Sequence, residues 1–416
     1  MTRTLVVIGA GLAGGTAALT LRAEGFDGRV VVVGDESYPP YSRPPLSKQL
    51  MRGEIDVART HLRPAALWEQ RDVEFVLGRP VARLDVAAHE IALGDGERIG
   101  YDALLLATGG RARVLSEQKR VDGVHVLRTI DDALAIREHL GPGRRLLIVG
   151  AGFVGAELAA SAAMLGTSVT ALEATGVPLG RGLPPALGEI YRRMHATRGV
   201  DIRVNSTVSK VAAGANGVVT RLTSGAVFES DAVVVAIGLR PELTLATAAG
   251  LAVDNGILVD EYCRTSAPDV FAAGDIANHP NPILGHRVRV EHWQNAQHQS
   301  AVAAHNMLAT EPAGLNVFAE VPWVWSEQYD INLQVTGRPL PTDEVVFRGD
   351  PDSTEFSAML LRDGVLIAAV GVNCADDVRA ARAAIGRGLT PDRRALGDTN
   401  IDLRELLQLD RKASYV

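Results

Sequence analysis

Cysteine is scarce in this chain of 416 residues, which has two copies, Cys263 and Cys374, far apart in the sequence. They do not form a C-x-x-C pair, so the sequence carries neither a disulfide framework nor the cysteine spacing of a zinc site. We therefore expect a protein without disulfide scaffolding and without a metal centre.

Long apolar runs and a surplus of basic residues are also missing. The 42 basic and 49 acidic residues give a formal net charge of −7, which argues against nucleic acid or an anionic membrane as the main partner. No apolar run reaches the length of a membrane-spanning helix, and the first predicted strand begins almost at residue 1, without a secretory signal before it. We expect a cytoplasmic protein, and its length predicts two or three domains.

The most informative pattern is an internal repeat, because residues 5–36 and residues 146–173 show the same order of features. Each copy has an apolar strand, a G-x-G-x-x-G turn, an Ala-rich helix and a second apolar strand followed by an acidic residue. This order is the βαβ fingerprint of dinucleotide binding. The turn glycines are Gly9, Gly11 and Gly14 in the first copy, and Gly150, Gly152 and Gly155 in the second. Two copies predict an α/β fold with two Rossmann-like domains, two bound dinucleotides, and electron or hydride transfer between them.

The residues of each turn have separate expected roles. The first glycine permits the tight turn, the second lets the backbone approach a pyrophosphate, and the third lets the helix pack on the strand. The N-terminus of the helix then favours the phosphates. The residues predicted to begin these helices beside the cofactors are Leu12 and Ala13 in the first copy, and Phe153 and Val154 in the second. In the first copy we expect Glu36, or alternatively Asp35, to accept hydrogen bonds from the ribose.

The second copy ends in Glu173, which is followed by Ala174 and Thr175. A carboxylate at this position can accept hydrogen bonds from both ribose hydroxyls, and its charge repels a 2′-phosphate. Since no arginine follows directly, we predict a preference for NADH over NADPH. Arg181 either contacts the phosphates of this cofactor or is a solvated loop residue.

Glu157 is the one formally charged residue between Gly150 and Leu172. The simpler interpretation is a carboxylate favoured by the dipole of the first helical turn. The helix around it is apolar nearly all round, however, so this carboxylate is expected to be buried. A buried carboxylate needs a cationic partner or a raised pKa.

Two further segments place the repeat in a known superfamily. Residues 101–109 predict a buried strand that ends in Ala107-Thr108-Gly109, and residues 265–275 predict a strand that ends in Gly274-Asp275. Around a second Rossmann unit, these segments resemble the two-dinucleotide-binding-domain flavoproteins, which have the glutathione-reductase-like fold. The resemblance implies that Ala107, Thr108, Gly109, Gly274 and Asp275 contact FAD, and that the first nucleotide site is the FAD site.

The segment Tyr38-Pro39-Pro40-Tyr41-Ser42-Arg43-Pro44-Pro45-Leu46-Ser47-Lys48 narrows the resemblance. It is similar to the oxygenase-coupled ferredoxin reductases, of the putidaredoxin-reductase-like and biphenyl-dioxygenase ferredoxin-reductase-like kind. In that family the lysine pairs with the glutamate of the NAD-motif helix beside the flavin ring. The resemblance therefore implies an ion pair between Lys48 and Glu157, and a flavin contact from Arg43. Because no cysteine lies in this segment, substrate chemistry through a thiolate is not expected.

The same resemblance implies further cofactor contacts. It assigns Trp325, before Ser326-Glu327-Gln328-Tyr329, to the side of the flavin where ferredoxin docks, whereas we expect Trp323 to be a core residue. The remaining contacts that it implies are Val81, Glu291, His292 and Trp293 for FAD, and Ile237 and Gly238 for NAD. His292 is expected at a helix start, without a catalytic role.

The expected organisation has three parts. The FAD-binding domain is discontinuous, at 1–111 and 239–318, and the NAD-binding domain lies at 112–238. A C-terminal α+β domain at 319–416 follows, with strands near 332–337, 344–348, 355–361 and 365–372, and then a helix from Asp376 to Ile385. That helix carries Arg379 and Arg382 one turn apart. They are either a solvated helix face or a basic docking site for an acidic ferredoxin.

Together with this resemblance, these features predict an FAD-dependent NADH:ferredoxin reductase, and the resemblance implies Lys48, Glu157 and Trp325 as its catalytic residues. Hydride from NADH would reduce the flavin, and an iron–sulfur ferredoxin serving a monooxygenase or dioxygenase would remove single electrons. Two alternatives stay open. One is an NADH oxidase or rubredoxin reductase on the same scaffold, and the other is a redox-responsive interaction protein like the apoptosis-inducing flavoproteins.

Overall fold

The protein is described by a computed structural model, which covers residues 3–115 and 121–409. The predicted domains also include 1–2, 116–120 and 410–416, which lie outside the described residues. The strands are β1 (Thr4–Ile8), β2 (Arg29–Val33), β3 (Val73–Val76), β4 (Val81–Asp85), β5 (Glu90–Leu93), β6 (Arg98–Gly100), β7 (Ala103–Leu106), β8 (Gly110–Ala112), β9 (Val124–Val126), β10 (Arg145–Val149), β11 (Ser168–Leu172), β12 (Asp201–Arg203), β13 (Val208–Gly214), β14 (Gly217–Leu222), β15 (Val227–Ser230), β16 (Ala232–Val235), β17 (Leu239–Pro241), β18 (Ile257–Leu258), β19 (Val270–Ala272), β20 (Ala277–Asn281), β21 (His286–Arg289), β22 (Trp323–Gln328), β23 (Ile331–Gly337), β24 (Glu344–Arg348), β25 (Phe356–Arg362) and β26 (Val365–Val372).

The helices lie between groups of these strands and after the last of them. They are α1 (Leu12–Ala23), α2 (Gln49–Arg52), α3 (Ala65–Gln70), α4 (Ile130–Arg137), α5 (Phe153–Met164), α6 (Pro185–Ala196), α7 (Thr244–Ala248), α8 (Trp293–Leu308), α9 (Ala375–Ala384), α10 (Arg393–Gly397) and α11 (Leu403–Leu406). Short 3₁₀ helices span Pro44–Ser47, Val57–Thr60 and Pro312–Gly314. Among the described residues, none of the helices combines the length and the apolar character needed to cross a lipid bilayer.

The chain folds into two compact units. The first unit contains 3–42, 57–111 and 240–322, and the second contains 43–56, 112–115, 121–239 and 323–409. The proline-rich segment from Arg43 onward thus groups with the second unit. The predicted three-part domain division stays a prediction, because compactness does not decide how many parts fold independently.

A parallel sheet of order β19-β7-β1-β2-β3 forms the centre of the first unit. Side chains alternate between the faces of a strand, so Leu5 and Val7 pack on one side of β1 while Val6 and Ile8 pack on the other. Helices α1 and α8 cover the first face, and the antiparallel sheet β4-β5-β6 with α7 covers the second. Burial on both faces explains why these strands are continuous apolar runs.

The second unit contains a second parallel sheet, of order β12-β11-β10-β16-β9, and two antiparallel sheets. The sheet β13-β14-β15 shares an apolar cluster with β10 and β16. The C-terminal sheet has the order β22-β23-β26-β25-β24 and packs against α9 on one side and α6 on the other. The strands and the helix predicted for the C-terminal region match β23 to β26 and α9 to within one or two residues.

Candidate functional site

In the first unit, four parallel strands bring the predicted nucleotide-binding residues to one edge of the sheet. Strands β19, β7, β1 and β2 are neighbours, and carboxyl ends of parallel strands lie at the same edge. The residues that follow these strands are Gly9, Glu36, Ala107-Thr108-Gly109 and Gly274-Asp275. Backbone hydrogen bonds continue just past the strands, from Gly9 N to Val33 O at 2.7 Å and from Ala107 N to Ile8 O at 2.8 Å. In parallel α/β sheets ligands bind in the crevice outside the carboxyl ends of the strands, so these residues line the candidate nucleotide crevice.

The glycine turn of this crevice leaves space for a phosphate group. Gly9 has φ +115°, and a Cβ there would lie 2.2 Å from the carbonyl oxygen of Ala107. A Cβ at Gly11, in contrast, would meet no atom within 4 Å, so the approach to the N-terminus of α1 is open. Leu12 and Ala13 begin that helix, whose free N–H groups favour an anion. The turn fits the pyrophosphate of a dinucleotide.

The two candidate ribose acceptors differ in their surroundings. Glu36 is half-buried and accepts a hydrogen bond from the Tyr41 hydroxyl at 2.5 Å. Asp35 is exposed and lies 3.9 Å from the Arg111 guanidinium. Glu36 is thus the acid that the protein itself orients.

The other predicted contacts of the first unit lie on several elements. Arg289 donates to the carbonyl of Asp275 at 2.9 Å and to the carboxylate of Glu291 at 2.5 Å. Trp293 begins α8, and its indole N–H donates to Ser42 Oγ at 3.1 Å. His292 is the N-cap of that helix, as predicted for a helix-start residue.

Thr108 and Val81 complete the residues predicted in this unit. Thr108 is half-buried, and its hydroxyl donates to the carbonyl of Glu242 at 3.2 Å. Val81 is the first residue of β4 and packs on the apolar cluster of the second sheet face. Both side chains therefore have structural partners in the protein.

The second unit repeats the crevice. Gly150 follows β10, Glu173 follows β11, and Ile237-Gly238 follow β16, all in one parallel sheet. Gly150 has φ +106°, and a Cβ at Gly155 would lie 2.0 Å from the carbonyl oxygen of Gly150. A Cβ at Gly152 would meet no atom within 4 Å. The second turn has the same open approach as the first, and it also fits a pyrophosphate.

Glu173 is held firmly beside this turn. Its carboxylate accepts from Ala151 N at 3.0 Å, from Thr175 N at 2.8 Å and from Thr175 Oγ1 at 2.9 Å, and the residue is 8 % exposed. Arg181 is exposed in the loop before α6. At the start of α5, Phe153 is half-buried and Val154 is exposed.

Lys48 and Glu157 form the predicted ion pair, and both are buried. Lys48 Nζ lies 2.9 Å from Glu157 Oε2, with exposures of 3 % for Lys48 and 5 % for Glu157. Ser47 Oγ donates to the same oxygen at 2.5 Å, and Ser326 Oγ lies 2.7 Å from Glu157 Oε1. Each charge compensates the other, and the hydroxyls satisfy further lone pairs, which a buried ion pair requires.

The proline-rich segment presents Lys48 to α5. Pro44 and Pro45 start a 3₁₀ helix whose last residue is Ser47, since proline fits the first positions of a helix. Helix α2 then begins one residue after Lys48, whose Nζ also donates to the carbonyl of Pro44 at 3.3 Å. Arg43 donates to the carbonyl of Arg128 in the same unit.

The residue pattern did not single out the two serines that contact Glu157. Ser47 lies beside Lys48 in the proline-rich segment, and Ser326 follows Trp325, so both lie within segments singled out for other residues. A hydroxyl next to Lys48 and another next to Trp325 were the available signal. It is a weak one, because serine is common in turns and helix starts.

Trp325 and Trp323 lie on β22 and stack on each other, with ring centroids 5.3 Å apart. Both are half-buried. The expectation that Trp323 is a core residue is therefore wrong. Its indole N–H donates to Gln334 Oε1 at 3.2 Å on the adjacent strand, so this tryptophan extends an aromatic pair on the sheet instead of filling the core.

The arginines of α9 differ in exposure. Arg379 is exposed and pairs with Asp376 one turn earlier, whereas Arg382 is half-buried. The pair with Asp376 offsets part of the positive charge of this helix. Both interpretations of this surface stay open.

Neither thiol suits redox chemistry. Both cysteines are free; burial raises the pKa of the Cys263 thiol far above its usual range, and burial raises that of Cys374 to about 11. Across residues 3–115 and 121–409, no three His, Cys, Asp or Glu side chains are grouped so that they could hold a metal ion.

We expect alkylation of the protein to leave its activity unchanged, because the thiolate is the reactive form and both thiols are protonated near neutral pH. The measurement is NADH-driven ferricyanide reduction after incubation with iodoacetamide at pH 7.5, with mass spectrometry to count the adducts. Cys374→Ser serves as the control for the less buried thiol. Inactivation that follows the labelling of either cysteine would contradict the expectation.

Known proteins match this chain over nearly its full length. The family model described as pyridine nucleotide-disulphide oxidoreductase matches residues 3–300, and the one described as reductase C-terminal matches 323–407. The chain is 40 % identical over 404 residues to the ferredoxin–NAD(+) reductase component of the anthranilate 1,2-dioxygenase system of Burkholderia cepacia, covering 97 % of this chain and 98 % of that one. It is 39 % identical to rhodocoxin reductase of Rhodococcus erythropolis, covering 96 % and 93 %.

The fold also matches a solved structure. Putidaredoxin reductase, in its covalent complex with putidaredoxin, superposes with a TM-score of 0.93 at 31 % identity, covering 98 % of each chain. These matches confirm the predicted α/β fold and the predicted resemblance, and they confirm ferredoxin reductase as the activity class. The chain belongs to the pyridine nucleotide-disulphide oxidoreductase family and, within it, to the ferredoxin reductases of oxygenase systems.

Proposed function

We propose that the protein uses FAD to accept hydride from NADH and to pass single electrons to an iron–sulfur ferredoxin that serves a monooxygenase or dioxygenase. The observation that carries this proposal is the buried Lys48–Glu157 pair, in a chain that also has two dinucleotide crevices. A nucleotide-binding protein without redox function has no need of a lysine and a glutamate buried together at 2.9 Å, because such a pair costs desolvation free energy.

FAD is assigned to the first unit. Its pyrophosphate would lie at Gly11 and the start of α1, where the space is open, and its ribose would lie at Glu36. The strand ends at Thr108-Gly109 and Gly274-Asp275 supply backbone groups and one carboxylate at the same sheet edge. The family resemblance also assigns Arg43, Lys48 and Trp325 to the flavin.

NADH is assigned to the second unit. The open approach at Gly152 supports the pyrophosphate position, and Glu173 supports the ribose position. A buried carboxylate there accepts from ribose hydroxyls and disfavours a 2′-phosphate. This arrangement supports NADH over NADPH.

When bound, FAD supplies a ring that takes up two electrons from NADH and releases them one at a time. The residues of this protein position the reactants and stabilise the charge that develops during the reaction. Lys48, held by Glu157, provides a fixed positive charge where negative charge develops, and a preorganised charge in a dry site lowers the barrier. Glu157 keeps that lysine oriented, since its carboxylate is itself held by Ser47 and Ser326.

Ferredoxin is assigned to the surface around Trp325, with Arg379 and Arg382 of α9 as basic residues for an acidic partner. The half-buried Trp325 leaves part of an aromatic ring accessible, and an exposed arginine contributes to electrostatic steering.

The experiment compares NADH turnover with ferricyanide, with oxygen, and with cytochrome c in the presence and absence of iron–sulfur ferredoxins that include putidaredoxin. Strong dependence of cytochrome c reduction on ferredoxin is the expected result. Fast oxygen reduction that is independent of ferredoxin would favour an NADH oxidase. A stable NADH-bound protein with poor turnover to every acceptor would favour an interaction protein.

We expect Trp325→Ala to separate the two half-reactions. Stopped-flow reduction by NADH should stay within about 2-fold of the wild-type rate, while ferredoxin reduction should slow by about 10-fold or more. The reason is that truncation of an aromatic side chain at the centre of a docking interface weakens binding of the partner. Trp323→Ala is the matched control on the same strand. Equal loss of both half-reactions would identify Trp325 as a residue that only packs against the flavin.

A further inference from the structure

A chain of buried polar side chains leads from Glu157 toward the surface of the second unit. Beyond Ser326, Gln328 Nε2 donates to Ser326 Oγ at 2.8 Å, and His195 Nε2 lies 2.7 Å from Gln328 Oε1. Tyr329 Oη lies 3.3 Å from His195 Nδ1. Ser326 and His195 have exposures of 0 %, and Gln328 has 2 %. Buried polar groups in such a row must each be satisfied.

The amide of Gln328 gives this chain a direction. Its Nε2 donates to both Ser326 and Tyr191, so its Oε1 must accept from His195. His195 therefore carries its proton on Nε2, and Nδ1 is left to accept from the Tyr329 hydroxyl.

The same direction continues to the carboxylate. Ser326 Oγ accepts from Gln328, so its own proton is free to point to Glu157 Oε1, 2.7 Å away. Each of these hydrogen bonds therefore has its acceptor on the side nearer to Glu157. Burial lowers the pKa of His195 to about 4, which keeps the ring neutral near neutral pH. The acceptor Gln328 Oε1 then selects the tautomer with its proton on Nε2.

Gln328 also prevents proton transfer along this chain of hydrogen bonds. An amide donates through nitrogen and accepts through oxygen, and it does not pass a proton from one to the other at ordinary cost. The chain therefore orients Glu157 without connecting it to solvent protons along this route. Beyond His195, Tyr329 contacts the surface residue Arg198, whose guanidinium lies 4.7 Å from the ring centroid.

We propose that Ser326, Gln328 and His195 are positioning residues, which form a one-way hydrogen-bond chain that holds the Glu157 carboxylate on Lys48. The proposal rests on the proposed function insofar as the Lys48–Glu157 pair acts in flavin reduction. Its structural part, the donor direction, is independent of that function.

The direction is tested in the holoenzyme by nitrogen NMR of ¹⁵N-labelled histidine at pH 7.5. The His195 signals are assigned by their loss in His195→Gln. The expected result is a neutral ring protonated on Nε2, which in Gln328→Leu changes to a mixture of tautomers. A ring protonated on Nδ1, or on both nitrogens, would overturn the proposal, because Gln328 would then have to point the other way.

The positioning role is tested by stopped-flow reduction with NADH. Ser326→Ala should lower the rate at saturating NADH by about 10-fold, because it removes a hydrogen bond to the charged Glu157 carboxylate. Gln328→Leu should lower that rate by about 3-fold, because it removes the neutral donor that orients the Ser326 hydroxyl. The Kd for NADH should stay unchanged in both variants. Ser326→Thr, which keeps the hydroxyl, should restore most of the rate. If Lys48→Met reduces the flavin slowly, unchanged rates in both Ser326→Ala and Gln328→Leu would overturn the proposal. If Lys48→Met also keeps the wild-type rate, the proposed function is wrong instead.

Ser357→Ala is the matched control for a loss of stability. Ser357 is fully buried in β25 of the same sheet and donates to a carboxylate, that of Asp377, at 2.5 Å. It lies outside the chain that ends at Glu157, so this variant should lose stability while its reduction rate stays at the wild-type value. If Ser357→Ala and Ser326→Ala slow flavin reduction equally, the effect of Ser326→Ala is a general loss of stability, and the proposal is overturned.

Discussion

Lys48→Met is expected to slow flavin reduction by NADH about 100-fold, with a much smaller change in the Kd for NADH. The lysine charge is fixed by Glu157 at 2.9 Å and shielded from water, and removal of one preorganised electrostatic group from a dry site costs about 10²–10³-fold in rate. The measurement is stopped-flow reduction over a range of NADH concentrations, which separates the limiting rate from the Kd. An unchanged limiting rate would remove Lys48 from the mechanism.

The same substitution tests the energetics of the pair. Lys48→Met leaves the Glu157 charge buried without its cation, and the loss of one partner of a buried pair lowers the free energy of unfolding by about 3–5 kcal/mol. The double variant Lys48→Met/Glu157→Gln should recover most of this stability, because no unpaired charge is left, but it should stay slow in reduction. Lys210→Met is the matched control, since Lys210 is exposed on β13.

Glu173→Ser is expected to lower the ratio of kcat/KM for NADH to that for NADPH by about 100-fold. The variant loses charge-assisted hydrogen bonds to the ribose hydroxyls, each contributing about 1.5–3 kcal/mol, and it loses the repulsion of a 2′-phosphate. Steady-state kinetics with both cofactors gives the ratio. Glu173→Gln removes the charge and keeps the shape of the side chain. It should change kcat/KM for NADPH more than kcat/KM for NADH.

Glu36→Ser is the control for this prediction, because Glu36 is the corresponding acid of the first repeat. We expect it to weaken FAD retention, measured by the flavin content of the purified protein, and to leave the cofactor ratio unchanged. A ratio that stays the same in Glu173→Ser, or that changes equally in Glu36→Ser, would contradict the assignment of NADH to the second crevice.

Much of the fold could be predicted because its signals are local. A strand that is buried on both faces must be apolar. A turn residue must be glycine where a Cβ would lie 2.2 Å from a neighbouring carbonyl oxygen, as at Gly9. These constraints act over about 30 residues, and the chain meets them twice. The two parallel sheets and their crevices were therefore visible in the residue pattern.

The ion pair was predictable in a different way. The charge of Glu157 in an apolar helix required a partner, but the residues alone did not name it. The resemblance to ferredoxin reductases supplied Lys48, and the structure shows the two side chains in contact.

The failures have a common physical cause. Trp323 was expected to be a core residue, yet its position on β22 leaves it half-buried against Trp325. His195 has no distinguishing neighbours in the sequence, and its complete burial follows from how α6 packs on the C-terminal sheet. Burial of a side chain on an amphipathic element depends on what covers it.

The sequence by itself determined the two dinucleotide folds, the acid at the end of each repeat, the absence of a redox-active cysteine pair and the need of Glu157 for a cation. Only the tertiary structure decided how Glu157 is held, by Ser47 from the proline-rich segment and by Ser326 from the C-terminal sheet. The reason is sequence separation. Ser47, Glu157 and Ser326 lie more than a hundred residues apart from one another, and no local pattern encodes which hydroxyl meets which carboxylate once three distant segments pack together.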